Sequence, residues 1–169
     1  MKIILSVTLF LISIIVIAQN NRGFIFNKEL KTLAGNWAGN MIYTDIKKNN
    51  TQVTLPTKLE IIDLNDSLEL KYFYTDSDGK AVSDTSSLRI YDVEDKLSID
   101  GELYDIVSTG RKGPRLIVVG EKQGFDNNLV ADLRQTVIFG PANLSIVKEV
   151  RYMENEFYFI RNRATFTKK

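Results

Sequence analysis

Between Trp37 and Phe166 the chain alternates apolar and polar residues at a period of two, in short runs broken by polar turn sequences. The runs include Trp37 to Tyr43, Leu59 to Ile61, Leu68 to Tyr74, Leu88 to Tyr91, Lys96 to Ile99 and Leu103 to Val107. They continue through Leu116 to Val119, Val130 to Phe139, Leu144 to Tyr152 and Phe157 to Phe166. A period of two is that of a half-buried strand, so about ten strands are expected. The links between them are short and rich in Asn, Asp, Gly and Pro, as in Asp76-Ser-Asp-Gly79, Asp100-Gly101, Gly124-Phe-Asp-Asn-Asn128 and Gly140-Pro141. A parallel return needs a crossover of a dozen or more residues, so neighbouring strands must run antiparallel. The only helical signal is Asn27 to Leu33, one or two turns capped by Asn27 with Leu30 and Leu33 facing inward. The pattern predicts an all-β fold of about eight to ten strands, a single antiparallel up-and-down barrel with a β-sandwich as the alternative.

The first residues belong to a different regime. Lys2 precedes an apolar run from Ile3 to Ile17, and small residues end at Ala18, just before Gln19. The run is shorter than the roughly 20 residues of a spanning helix, and reads as a secretory signal peptide over 1–18, followed by a domain over 19–169. An uncleaved amino-terminal anchor is the alternative. The expectation is an exported protein, periplasmic or extracellular with a bacterial-type leader, carrying no membrane anchor after cleavage and acting as a monomer.

Composition removes whole classes of function. The chain has 22 Lys and Arg against 21 Asp and Glu, and removing Lys2 leaves the two signs in balance. A balanced chain has no general field to hold phosphates, so nucleic acid is not an expected partner. Histidine and cysteine are both absent. Without them there is no side chain titrating near neutrality and no thiol, which excludes Ser-His-Asp and Cys-His catalysis and imidazole or thiolate metal sites. No enzyme activity, metal or cofactor is expected. Asp45, Asp63 and Asp105 lie on or near strand ends, yet nothing in the spacing brings two of them together as glycoside hydrolysis requires. Asp76 to Lys80 lacks the ligand spacing of a calcium loop and reads as a hairpin turn.

Gly35-Asn36-Trp37, after a helical turn and opening the first strand, resembles the G-x-W signature of the calycin superfamily, which holds the lipocalins and the fatty-acid-binding proteins. In that superfamily an arginine from the last strand packs across the tryptophan, and this chain ends with Arg161 and Arg163 in Phe157-Tyr-Phe-Ile-Arg-Asn-Arg. A guanidinium over an indole gains a cation–π contribution. The resemblance therefore implies barrel closure by Gly35, Trp37, Arg161 and Arg163. Nitrobindin-like barrels of similar strand number hold haem through a histidine, which this chain lacks.

Ligand sites in such barrels are mostly apolar with a few placed polar groups. On the inward phase, Tyr43, Tyr72, Tyr74, Gln135, Phe139, Tyr152 and Phe159 fit that description. Arg161 and Arg163 share a face with Phe159. That face is inward if one of them meets an anionic head, as the resemblance to fatty-acid-binding proteins implies. If instead Tyr158, Ile160, Ala164 and Phe166 point inward, both arginines face solvent or cap Trp37. The expected function is lumenal binding of a small hydrophobic molecule. The alternative is a protein-interaction or inhibitor module with a packed interior, suggested by polar connections over 47–56 and 75–86.

Overall fold

The computed structural model describes residues 27–45 and 51–169. The expected signal peptide and its cleavage site lie outside the described residues. A short helix α1 (Asn27–Lys31) leads into ten strands: β1 (Gly35–Asp45), β2 (Thr51–Asp63), β3 (Leu68–Thr75), β4 (Ala81–Tyr91) and β5 (Lys96–Ile99), then β6 (Glu102–Lys112), β7 (Arg115–Asp126), β8 (Leu129–Phe139), β9 (Asn143–Tyr152) and β10 (Phe159–Lys168). Each strand pairs antiparallel with its neighbours in sequence, and β1 pairs antiparallel with β10, so the sheet closes into one barrel. A two-layer sandwich is thereby excluded.

Turn chemistry sets the hairpins. Asp100 and Gly101 take φ of 55° and 77°, and Asn127 and Asn128 take 51° and 64°. Two successive left-handed residues match the right-handed twist of flanking strands, and Asp, Asn and Gly tolerate that conformation best. The Asp76 carboxylate accepts hydrogen bonds from the backbone N–H groups of Asp78 (2.9 Å) and Lys80 (2.8 Å), which makes this segment a hairpin turn.

The alternation becomes burial once the barrel closes. Along β8, Ala131, Leu133, Gln135, Val137 and Phe139 are buried, while the residues between them are partly exposed. The connections expected over 47–56 and 75–86 are mostly strand: β2 begins at Thr51 and β4 at Ala81, with Asp45 paired to Thr51 and Thr75 to Ala81. At the start of β4 the inward phase carries Asp84 and Ser86, opposite Tyr72 and Leu70. The hydrophobic alternation therefore fades while the backbone ladder continues.

The seam between β1 and β10 is unusually close. A Cβ at Gly39 would fall on the carbonyl oxygen of Thr165 and 2.8 Å from the Cα of Phe166. Gly39 is therefore fixed by space rather than by backbone conformation. Gly35, with φ of 124°, occupies a conformation that side chains disfavour and leaves room for the stem of Lys168.

Candidate functional site

The interior has three parts: a sealed base, a charged cluster, and a cavity that adjoins it. At the base, Leu30 and Leu33 from the α1 segment cover Trp37, which is only 2 % exposed. Burying an indole leaves its N–H in need of an acceptor, and Trp37 Nε1 donates to the carbonyl oxygen of Leu33 at 2.8 Å. The cation over the ring is Lys168, whose Nζ stands 5.4 Å from the ring centroid and donates to the Thr32 carbonyl oxygen at 2.8 Å.

That arrangement corrects the expected closure by arginine. Trp37 pairs with Lys168 while Tyr43 pairs with Asn162, so Arg161 lies roughly 20 Å along the strands from the indole at about 3.3 Å per residue. Arg163 stands opposite Ile42 and Val147 on the outward phase and is exposed. A bulge between Ile160 and Asn162 adds one residue to β10 and switches its phase. Phe159 and Arg161 point inward before it, and Ala164 and Phe166 point inward after it. Each of the two expected orientations of the last strand therefore holds for one half of it.

Arg161 is the centre of the charged cluster. Its Nε donates to Asp126 Oδ1 at 3.3 Å and its Nη1 to the Thr44 carbonyl oxygen at 2.8 Å. Asp126 is buried and also accepts from the Tyr152 hydroxyl at 2.8 Å, with Lys148 Nζ at 3.9 Å. The Tyr152 ring packs at a tilt on Phe159, centroids 5.6 Å apart. Alongside, Lys122 bonds Glu102 at 3.0 Å and lies 4.9 Å from the Tyr104 ring centroid. The Lys122 hydrogen bond holds the Glu102 carboxyl below the usual range. Burial, with Glu102 nearby, pushes Tyr104 up to about 12. The arginine expected to meet a carboxylate ligand already has one from the protein.

The cavity, of about 290 Å³, adjoins this cluster through Gln135, which lines it and contacts the Tyr104 hydroxyl. Met41, Leu70, Leu88, Ile99, Ile146 and Ala164 give it apolar walls. Tyr43, Tyr72, Gln135 and Arg163 among the expected ligand-binding residues line it; Tyr74, Phe139, Tyr152, Phe159 and Arg161 do not. Phe139 is buried at the base, Tyr152, Phe159 and Arg161 serve the charged cluster, and Tyr74 lies near the rim, lining a depression that also takes in the outward-facing Phe73 and Ala81. Arg163 borders the cavity from the outward phase of β10 and is exposed. Sequence reasoning missed Asp84, Ser86 and Asp100. A signal was present for the first two, because the inward phase of Leu88 and Ile90, carried backward, passes through Ser86 and Asp84.

The cavity has a side mouth. β5 is only four residues long, so its pairing with β4 runs from Leu88 to Tyr91 and stops. One further bond follows, from Asp100 N–H to the Ser87 carbonyl oxygen at 3.0 Å. Beyond it, β4 from Ala81 to Ser86 pairs only with β3 among the described strands. Asp84, Ser86, Ser87 and Asp100 line both the cavity and a depression on the outer surface. Burial, then the charges of Asp100 and Asp84, raise the Tyr72 hydroxyl above its ordinary value, so it stays a neutral phenol.

The three carboxylates considered for catalysis are dispersed. Asp63 lies 3.8 Å from Lys31, Asp105 pairs with Lys96, and Asp45 ends β1 at the opposite end of the β1–β2 ladder from Asp63. No family model matches the chain, and no curated protein matches it.

Proposed function

We propose that this protein is an exported, calycin-like barrel that binds one small, largely apolar molecule in its lumen without transforming it. The observation that carries the reading is the 290 Å³ cavity, held between a sealed base and a charged cluster and opening toward solvent at its side. At about 30 Å³ per water, that volume corresponds to roughly ten waters, or a ligand of similar atom count. Apolar walls with a few polar groups are the usual composition of such sites. The calycin relationship is supported by Gly35-Asn36-Trp37 at the start of β1, the helix before it, and a last-strand cation over the indole. Lysine in place of arginine is its departure from the pattern.

The test is calorimetric titration of the purified domain with a panel of medium-chain alcohols, amines and acids. Saturable one-to-one binding that is abolished by Ile146→Trp, with the fold retained by circular dichroism, is the expected result. Failure of every probe to bind overturns the reading.

A protein-interaction module is the second reading, and one feature favours it: Phe125 and Phe157, 71 % and 77 % exposed, with Leu129 and Met153, put apolar side chains in solvent at the β7–β8 and β9–β10 turns. Clusters of this kind mark interaction surfaces. A partner recovered at one-to-one stoichiometry by the native protein and lost with Phe125→Ser and Phe157→Ser together would establish it.

A further inference from the structure

We propose that the lumenal cavity takes a protonated amine on a short apolar body, its ammonium received by Asp84 and Asp100 at the side mouth. The inference rests on the lumenal-binding reading and adds the class of ligand.

The first support is an imbalance in the hydrogen-bonding groups around the cavity. Gln135 is 6 % exposed and lines the cavity, its Nε2 lies 3.5 Å from the Tyr104 hydroxyl, and its Oε1 has no hydrogen-bond partner among the described residues. A buried acceptor without a donor carries a desolvation penalty that a ligand's N–H would remove. The carboxylates add to the surplus. Asp84 Oδ1 accepts from the Thr85 N–H at 2.9 Å and Asp100 Oδ1 from the Ser87 N–H at 3.2 Å. Those bonds hold each side chain by one oxygen. Gln135 Oε1 is thus the buried acceptor of the three, and Asp84 and Asp100 add exposed negative charge beside it.

The second support is placement. Asp84 lies on the inward phase of β4 opposite Tyr72, and Asp100 on the turn that ends β5, so the carboxylates flank the gap left by the short strand. Both line the cavity and the outer depression, which puts them at the threshold, with Met41, Leu70 and Ile146 deeper in the cavity wall. An ammonium held there keeps contact with water while its apolar body is buried.

The third support is the fate of the lumen's cations. Lys122 is matched by Glu102, and Arg161 and Lys148 by Asp126. None of the three lines the cavity, and Arg163 borders it with its side chain on the outward phase. Among the described residues, a carboxylate ligand would meet two carboxylates at the mouth, with Arg163 the one cation on the cavity border.

The experiment compares octylamine, octanol and octanoate by calorimetry at neutral pH. A charge-assisted hydrogen bond exceeds a neutral one by enough to make octylamine bind about tenfold tighter than octanol. Octanoate should bind weakest. Asp84→Asn with Asp100→Asn preserves the shape and the N–H contacts, and should bring octylamine to the level of octanol. If the double variant does not fold, added salt on the native protein gives the same discrimination, weakening octylamine and sparing octanol. Equal binding of amine and alcohol, or preference for octanoate, overturns the proposal and leaves lumenal binding standing. If none of the three binds, the lumenal reading fails as well.

Discussion

Lys168 Nζ lies 5.4 Å from the ring centroid of Trp37 and joins the last strand to the first at the base of the barrel. The ammonium also caps the Thr32 carbonyl, so one side chain ties β10, the indole and the segment after α1 together. Trp37→Ala is expected to lower the unfolding free energy by about 3 to 5 kcal/mol, as for other buried aromatics. Lys168→Met, which keeps most of the stem, should remove about 0.5 to 1 kcal/mol. Guanidinium denaturation measures both, and a loss below about 1 kcal/mol for Trp37→Ala would show that the indole is not the plug.

Gly39→Ala tests the close seam. The added methyl has to displace the backbone of β10 at Thr165 and Phe166, which no rotamer change can relieve. A destabilisation of about 3 kcal/mol or more is expected, against less than about 0.5 kcal/mol for Gly110→Ala, where the same atom meets open space. Thermal melts of the two variants beside the native protein decide the point.

Asp126→Ala leaves Arg161 and Lys148 without their shared carboxylate and frees the Tyr152 hydroxyl. Removing one partner of a buried ion pair typically destabilises by about 3 to 5 kcal/mol. Replacing the group by Asn, which still accepts hydrogen bonds, should destabilise less. Urea denaturation that finds Asp126→Ala no worse than Asp126→Asn would show that the cluster contributes little to stability.

Tyr104 makes the fold sensitive to alkali. Its hydroxyl ionises at about 12 in the folded protein against about 10 in an unfolded chain. The folded state therefore holds the proton more tightly, and the stabilisation is complete below about pH 10 and lost as pH rises toward about 12. Tyr104→Phe should flatten the decline of unfolding free energy across that window. An unchanged slope in denaturation series at successive pH values would refute it.

Strand content, antiparallel pairing and the apolar part of the base were legible in the sequence, because each depends on residues near one another along the chain, whereas the cation over Trp37 is Lys168 and not the expected arginine. Leu68, Leu70, Leu133, Val137 and Phe139 are buried as the alternation requires. The β5–β6 turn needs only Asp100-Gly101, and Trp37 with Leu30 and Leu33 forms the base from one short segment. The site was harder to read. Its polar residues, Asp84, Ser86 and Asp100, interrupt the apolar pattern and therefore resemble a loop. The bulge in β10 has no local signature, since Phe159 to Phe166 fits either phase equally well.

The sequence by itself determined that this chain must build an antiparallel sheet with one apolar face and no histidine or thiol chemistry, since side-chain alternation and composition are local or global properties of the string. Only the tertiary structure decided which cation meets Trp37, where Arg161 points, and that Asp84, Asp100 and Gln135 border one cavity. Those relationships depend on register, on one extra residue in β10 and on the early end of β5, which are set when strands distant in sequence pair around the ring.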